Sequence, residues 1–476
     1  MNGIPSACLL ALKDLLGPGG FLESAEDRAP FEIDFRGIHR GRSPLVALPQ
    51  FTAQVAELVR YCAGQRIGIV PQGGNTGYCG GATPGTGNDE IVVSLRRMNR
   101  IRSMDAAGGS LTADAGCVLA RLQHAAADAG RLLPMSLGSE GSCTLGGIIS
   151  TNAGGTAVLR YGMMRELVLG LEAVLPDGSV LDQLTALRKD NTGYDVKQLF
   201  IGAEGTLGIV TAACVRLFPR PAARSTAMVA LASPAAALAL LGGLQQCLGD
   251  TVTTFELIPR IALEFVCRHV PGSRDPFSDA SPWYVLVEIA LPQSDAGLAG
   301  RFESALADAI DAGQASDAVT ASSEAQREAF WRLRESIPEA QKHEGPGLKH
   351  DISVEPSRLP QFIDEGRSLL AQLAPGARLV AYGHLGDGNL HFNLSPAGGA
   401  ADTSLLSGAA AIARAVHDLA AQHRGSISAE HGIGQLKVAE LERYEDPVAL
   451  ALMRRIKRTL DPQGIMNRGK VLRLDR

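Results

Sequence analysis

Two histidines, His384 and His391, stand seven residues apart in RLVAYGHLGDGNLHFNL (378–394), and imidazole is the commonest side-chain ligand of a transition metal. Between them lies Asp387-Gly388, a pair that favours the centre of a two-residue type I′ hairpin turn. With that turn, His384 faces His391 and Leu385 faces Leu390. Both imidazoles then share one face of the ribbon, about 5 Å apart at Cβ, and Asn393 points from the same face two residues on. A plain polar hairpin face is the alternative that the pair alone leaves open. Glu430 and His431, in SISAEHGIG (426–434), offer a carboxylate and a further imidazole in a glycine-rich setting. Two histidines and one carboxylate with open positions form a catalytic donor pattern, suited to zinc, iron or manganese. Spacing by itself does not bring Glu430 to the hairpin.

A second chemistry is written in glycine. Residues 69–81, IVPQGGNTGYCGG, run from an apolar stretch into five glycines within thirteen residues, a density that lets successive backbone N–H groups converge on one anion such as a pyrophosphate. Residues 134–155, PMSLGSEGSCTLGGIISTNAGG, and 202–209, GAEGTLGI, repeat the theme. One such loop would be a tight turn; three imply an extended ligand. Neither G-x-G-x-x-G with a distal acid nor G-x-x-x-x-G-K-[ST] occurs, which argues against a Rossmann cofactor or a P-loop nucleotide. Cations form a third group: Arg327, Trp331 and Arg334 recur at i, i+4 and i+7 and share one helix face, with Lys349 further on. A solvated helix face would account for them equally well.

These groups must be carried by a folded frame, and the composition supplies one. The chain has 476 residues, 45% hydrophobic and 20% charged, enough for two domains with real cores. A net charge of −5 and the lack of a Lys/Arg block exclude a nucleic-acid footprint or a polybasic membrane patch. The start, MNGIPSACLLALKDLLGPGG, lacks a basic leader and no apolar run reaches spanning length, so a cytoplasmic location is expected. Eight cysteines without a CxxC pair read as reduced thiols. From 45 to 219, β-rich runs (IGIV, EIVVSL, ELVLGLEAVL) alternate with glycine loops and helical stretches at 54–65 and 117–129. The turn Pro219-Arg220-Pro221 closes that pattern. Beyond it come helices near 234–247, 323–337, 405–423 and 447–460 and strands near 284–290 and 348–354. The fold class is α+β.

The segments PQGGNTG, SLGSEGSCTLGGIISTNAGG and GAEGTLGIVT together resemble the FAD-binding domain of the vanillyl-alcohol-oxidase superfamily, in its D-2-hydroxyacid dehydrogenase branch, over nearly the whole chain. The resemblance implies an FAD-binding domain at 1–220, a second α+β substrate (cap) domain at 221–425 carrying the metal hairpin, and a segment 426–476 returning to the flavin. It implies that FAD lies against Pro71, Gln72, Gly73, Gly74, Asn75, Thr76 and Gly77, against Pro134, Leu137, Gly138, Ser139, Ser142, Gly146, Gly147, Asn152, Ala153 and Gly154, and against Glu204, Gly208, Ile209 and Asn467. Some superfamily members tether flavin through a His where this chain has Asn75, so noncovalent FAD is expected. By the same resemblance GHLGDGNLH and AEHG converge beside the flavin, His384, His391 and Glu430 hold a divalent metal with zinc foremost, and His431 is the general base.

Arg334 and Lys349 match the positions that clamp a distal carboxylate in the D-2-hydroxyglutarate dehydrogenases, and Asn393 is a further substrate contact. Pro338 departs from the pattern, standing where branch members can offer a hydroxyl, which leaves D-lactate and D-malate as alternatives. The expected partners are a small 2-hydroxy acid and an electron acceptor such as electron-transfer flavoprotein or a quinone, with a homodimer left open. From other classes, a metal-dependent hydrolase gives the glycine loops no role, and a noncatalytic flavin carrier gives the metal donors none.

Overall fold

The computed structural model describes residues 3–473. The first two and last three residues of the expected first and last segments, including the very start of the stretch searched for a leader, lie outside the described residues. The chain folds into two compact units, one formed by residues up to 155, 162–220 and 430 onward, the other by residues 156–161 and 221–429. The mixed helix-and-sheet class read from sequence holds in both.

In the first unit the β-branched runs Gly68–Gln72 and Glu90–Ser94 pair in parallel, as continuous buried runs do. Val46–Ala47 and Phe21–Leu22 complete that four-stranded sheet. A five-stranded antiparallel sheet follows, ordered Ile101–Asp105, Ser110–Asp114, Ile209–Arg216, Val168–Val174, Val180–Gln183. The helix Thr52–Gln65 buries Val55, Leu58, Val59 and Cys62, a 3.6-residue stripe, and ends where Arg66 turns left-handed at φ 56°. The last helix, Pro447–Leu460, starts where expected, with Pro at its first turn and the Asp446 carboxylate accepting from the N–H groups of Val448 and Ala449. Buried Lys457 then donates to the carbonyls of Thr206 (2.7 Å) and Met466 (2.8 Å) and to Asp461 Oδ2 (2.5 Å). That knot lays Met466 beside Ile69 as a parallel bridge, so the chain's end returns to the strand that feeds the first glycine loop.

The second unit is a seven-stranded sheet ordered Asp317–Thr320, Ala223–Leu231, Trp283–Leu291, Val252–Pro259, Arg378–His384, Asn389–Ser395, Asp351–Ser353, antiparallel throughout. Side chains alternate between its faces. Phe255, Leu257, Ala381, Leu390, Phe392 and Ile352 pack with the helices Pro234–Leu248, Leu298–Asp311, Leu359–Leu373 and Ser404–Gln422. The opposite face carries Val380 and Tyr382 against Arg260–His269, Glu324–Glu335 and Ile337–His343. Period two therefore puts Glu256, His384, His391, Asn393 and Asp351 on that second face, and the sequence alternation alone dictates it.

Two expectations are corrected here. The hairpin does not turn on two residues: Leu385–Asp387 form a 3-10 turn and Gly388 follows at φ 84°, so Tyr382, not His384, pairs with His391. The shift is by an even number of positions and so preserves the face; the His384 and His391 rings still meet, centroids 6.1 Å apart. The strand expected at 348–354 is continuous only over Asp351–Ser353, with an isolated bridge from Leu348 to Leu394. The reason is His350, whose ring Nδ1 rather than its backbone N–H reaches the Phe392 carbonyl (2.8 Å), while that N–H donates to Asn393 Oδ1 (3.2 Å).

Candidate functional site

The glycine loops of the first unit form a cradle by backbone contact. A Cβ on Gly73 would lie 2.3 Å from Thr144 Oγ1 and one on Gly74 2.0 Å from the Ser142 carbonyl, so only glycine lets the loops at 71–77 and 134–147 approach so closely. Four non-glycine residues expected at the cofactor adopt positive φ: Asn75 (54°), Asn152 (48°), Glu204 (50°) and Asn467 (45°). Such conformations persist where the surroundings enforce them, and they cluster at ligand clamps. Here the enforcement is visible. Asn75 Nδ2 donates to the carbonyls of Pro30 (3.2 Å) and Ile33 (2.8 Å), Asn152 Oδ1 accepts from Arg165 N (2.9 Å), and Asn467 Nδ2 donates to the carbonyls of Gly81 (2.8 Å) and Glu204 (2.7 Å). Gln72 likewise spends its amide on the carbonyls of Phe31 and Ala82. Two buried oxygens in this cradle, Thr144 Oγ1 and Asn467 Oδ1, have no hydrogen-bond partner among the described residues. Buried polar atoms are rarely left so, and a polar dinucleotide would satisfy them. The residues fit FAD.

Glu204, expected at the cofactor, turns its carboxylate to a loop of the same unit. Its carboxylate accepts from the backbone N–H groups of Ile433 (2.7 Å) and Gly434 (2.8 Å), bracing the loop that presents Glu430 and His431. Burial pushes its pKa up, against the pull of those two N–H groups. In that loop a Glu430 oxygen and a His431 ring nitrogen lie within 4.8 Å, and the Tyr78 ring rests 4.6 Å from the His431 ring.

In the second unit the sheet face is polar where the helix Glu324–Glu335 crosses it. That helix begins at Ser323, whose side chain accepts from Gln326 N; Arg327, Trp331 and Arg334 share one face, as the spacing predicts, and that face meets the sheet. Trp331 Nε1 donates to Glu288 Oε2 (3.1 Å), and Arg327 is 3.5 Å from that same oxygen. Arg334 Nε donates to Glu256 Oε2 at 2.8 Å, and Nη2 lies 2.7 Å from that same oxygen as an ion pair. The other oxygen of Glu256 receives His384 Nδ1 at 2.5 Å, the two residues being cross-strand partners. Glu256 is fully buried; burial would raise its pKa, yet His384 and Arg334 hold it down to about 2. Asp351 pairs directly with His391, with one ligand atom of each within 4.8 Å. Asn393 is buried between His350 and Gln341, donating to Gln341 Oε1 at 3.0 Å. Lys349 is exposed.

Glu256 and Asp351 escaped the sequence reading. The signal for Glu256 was present, as a single acid inside the apolar run of Val252–Pro259; a charge in such a run must find a partner. Asp351 carried no comparable mark.

A model described as FAD binding domain matches residues 43–183, and one described as FAD linked oxidases, C-terminal domain, matches 220–471. The chain is 41% identical over 466 residues to the mitochondrial D-2-hydroxyglutarate dehydrogenase of Bos taurus, covering 97% of this chain and 83% of that protein. Its identity to the mitochondrial D-2-hydroxyglutarate dehydrogenase of Arabidopsis thaliana is 39% over 460 residues, covering 97% and 80%. The fold matches a crystal structure of p-cresol methylhydroxylase with substrate bound, at a TM-score of 0.77 and 16% identity over 98% of both chains. The cytoplasmic expectation is overturned, because both relatives are mitochondrial by name; composition and charge do not report a compartment. Among the described residues no helix is long and apolar enough to cross a membrane.

Proposed function

The chain belongs to the FAD-linked oxidase family, and on that footing we propose that its substrate is D-2-hydroxyglutarate, oxidised to the 2-oxo acid with the help of a divalent metal. It is an FAD-dependent dehydrogenase acting on a D-2-hydroxy acid. The observation that carries the metal reading is the sheet face on which His384 and His391 sit, each beside a buried carboxylate, Glu256 and Asp351. Histidines that ligate metals are commonly oriented by such partners.

In this reading His384, His391 and Glu430 are the ligands, and zinc is the first choice of metal. When bound, FAD accepts the hydride released from C2 and the metal acidifies the hydroxyl it ligates. His431 takes the hydroxyl proton onto a ring nitrogen. Arg334 and Lys349 engage the distal carboxylate, and Asn393 supports the substrate from the neighbouring strand. Electrons then pass to an acceptor such as electron-transfer flavoprotein or a quinone.

Anaerobic mixing with a panel of D- and L-2-hydroxy acids tests the reading. Flavin should bleach fastest with D-2-hydroxyglutarate, and bleaching by L-enantiomers alone would refute it. The flavin is held without a covalent bond, since Asn75 has no nucleophile for a flavin methyl group. Acid precipitation should therefore release all yellow colour into the supernatant; colour kept by the washed, denatured pellet would contradict this.

A further inference from the structure

We propose that Glu256 is a positioning residue that couples the metal ligand His384 to the substrate clamp Arg334 through the two oxygens of one buried carboxylate. The inference rests on the metal and clamp reading above and adds a residue to it. An ionised carboxylate only accepts, so the contact from Glu256 Oε1 to His384 Nδ1 at 2.5 Å puts the ring proton on Nδ1. In the neutral ring that leaves Nε2 as the lone-pair nitrogen, the one a metal can use. On the other side Oε2 accepts from Arg334 Nε at 2.8 Å and lies 2.7 Å from Nη2, which draws one edge of the guanidinium onto the carboxylate. Arg334 also lies over the Tyr382 ring, 4.9 Å from its centroid, and that ring is 4.9 Å from the His391 ring. Both histidines of the sheet and the arginine of the helix Glu324–Glu335 thereby meet around Tyr382 and Glu256.

Glu256→Gln separates this arrangement from ordinary packing, because an amide has one acceptor and one donor end. If its oxygen faces Arg334, its NH₂ faces His384 Nδ1. The ring must then accept there, its proton moves to Nε2, and the metal loses its ligand atom. If the oxygen faces His384, two donors oppose each other at Arg334 and the fork is released. Glu256→Asp keeps the charge but retracts it by one methylene, so it should show smaller losses of the same two kinds.

The experiment measures zinc affinity by competition with a chromophoric chelator, and the kcat/KM ratio of D-2-hydroxyglutarate to D-lactate. The proteins are wild type, Glu256→Gln, Glu256→Asp, His384→Ala and Arg334→Ala, each checked for full FAD content. Zinc affinity should fall about 10- to 100-fold in Glu256→Gln, the usual effect of losing a ligand's carboxylate partner, and the substrate ratio should fall toward that of Arg334→Ala. If Glu256→Gln does not retain FAD, Glu256→Asp decides. Lowered melting temperature with both readouts unchanged, in a background where His384→Ala loses zinc and Arg334→Ala loses selectivity, overturns the coupling. Should His384→Ala keep its zinc or Arg334→Ala its selectivity, the underlying metal or clamp reading has failed instead.

Discussion

His431→Gln should slow anaerobic flavin reduction by D-2-hydroxyglutarate about 10²- to 10⁴-fold, the usual worth of a general base, while FAD and metal contents stay at wild-type levels. Glutamine occupies similar space, so the loop need not move. It is held from elsewhere, by the two hydrogen bonds from Ile433 and Gly434 to Glu204 and by Gln435 Nε2 donating to the Gly80 carbonyl at 3.0 Å. Packing against Tyr78 is served by any planar side chain. What glutamine cannot do is accept the hydroxyl proton. Metal content makes the test discriminating, because imidazole is also a ligand and a His431 ring nitrogen lies within 4.8 Å of a Glu430 oxygen. Loss of metal in His431→Gln would move His431 into the ligand set, and a wild-type reduction rate would remove it from the chemistry. His384→Ala is the reference, expected to lose metal.

How far the sequence carried this reading depends on whether a feature is local. The last helix was readable because Asp446 and Pro447 form a cap and a first turn within two residues. Arg327, Trp331 and Arg334 were readable as one face because helix periodicity needs no partner. The face shared by His384 and His391 survived even though the turn was misread: alternation is insensitive to an even shift, whereas the register depends on how many residues the 3-10 turn at Leu385–Asp387 absorbs. Partners were not readable. Glu256 lies 128 residues before His384 and 78 before Arg334, and no spacing rule joins them. The same holds for Glu204, whose glycine-rich surroundings pointed to a cofactor while its carboxylate went to a loop more than two hundred residues away.

Arg334→Ala and Lys349→Ala should each lower the preference for D-2-hydroxyglutarate over D-lactate, by roughly 10- to 150-fold in the ratio of kcat/KM. That range corresponds to the about 1.5–3 kcal/mol of a charge-assisted hydrogen bond, which only a substrate with a second carboxylate can collect. The two variants will differ in what else they do. Arg334 is buried and its Nε and Nη2 are committed to Glu256, so its removal leaves a fully buried carboxylate facing His384 alone. Breaking such a pair is costly to the fold, and activity on every substrate should drop along with selectivity. Arg334→Lys should not restore the loss, since an ammonium is a single point of charge and cannot both pair with Glu256 and reach a second carboxylate as a guanidinium would. Lys349 is exposed, so Lys349→Ala should keep stability, FAD and metal and change the ratio alone. Lys349 thus gives the cleaner reading of the clamp, and the ratio corrects Arg334 for its general damage. Pro338, in the first turn of Ile337–His343, has no hydroxyl to offer a substrate and leaves both cations in place. A wild-type enzyme that prefers D-lactate to every dicarboxylate, or two variants that lose activity equally on all substrates, would dismiss the clamp and return Arg334 to a purely internal ion pair.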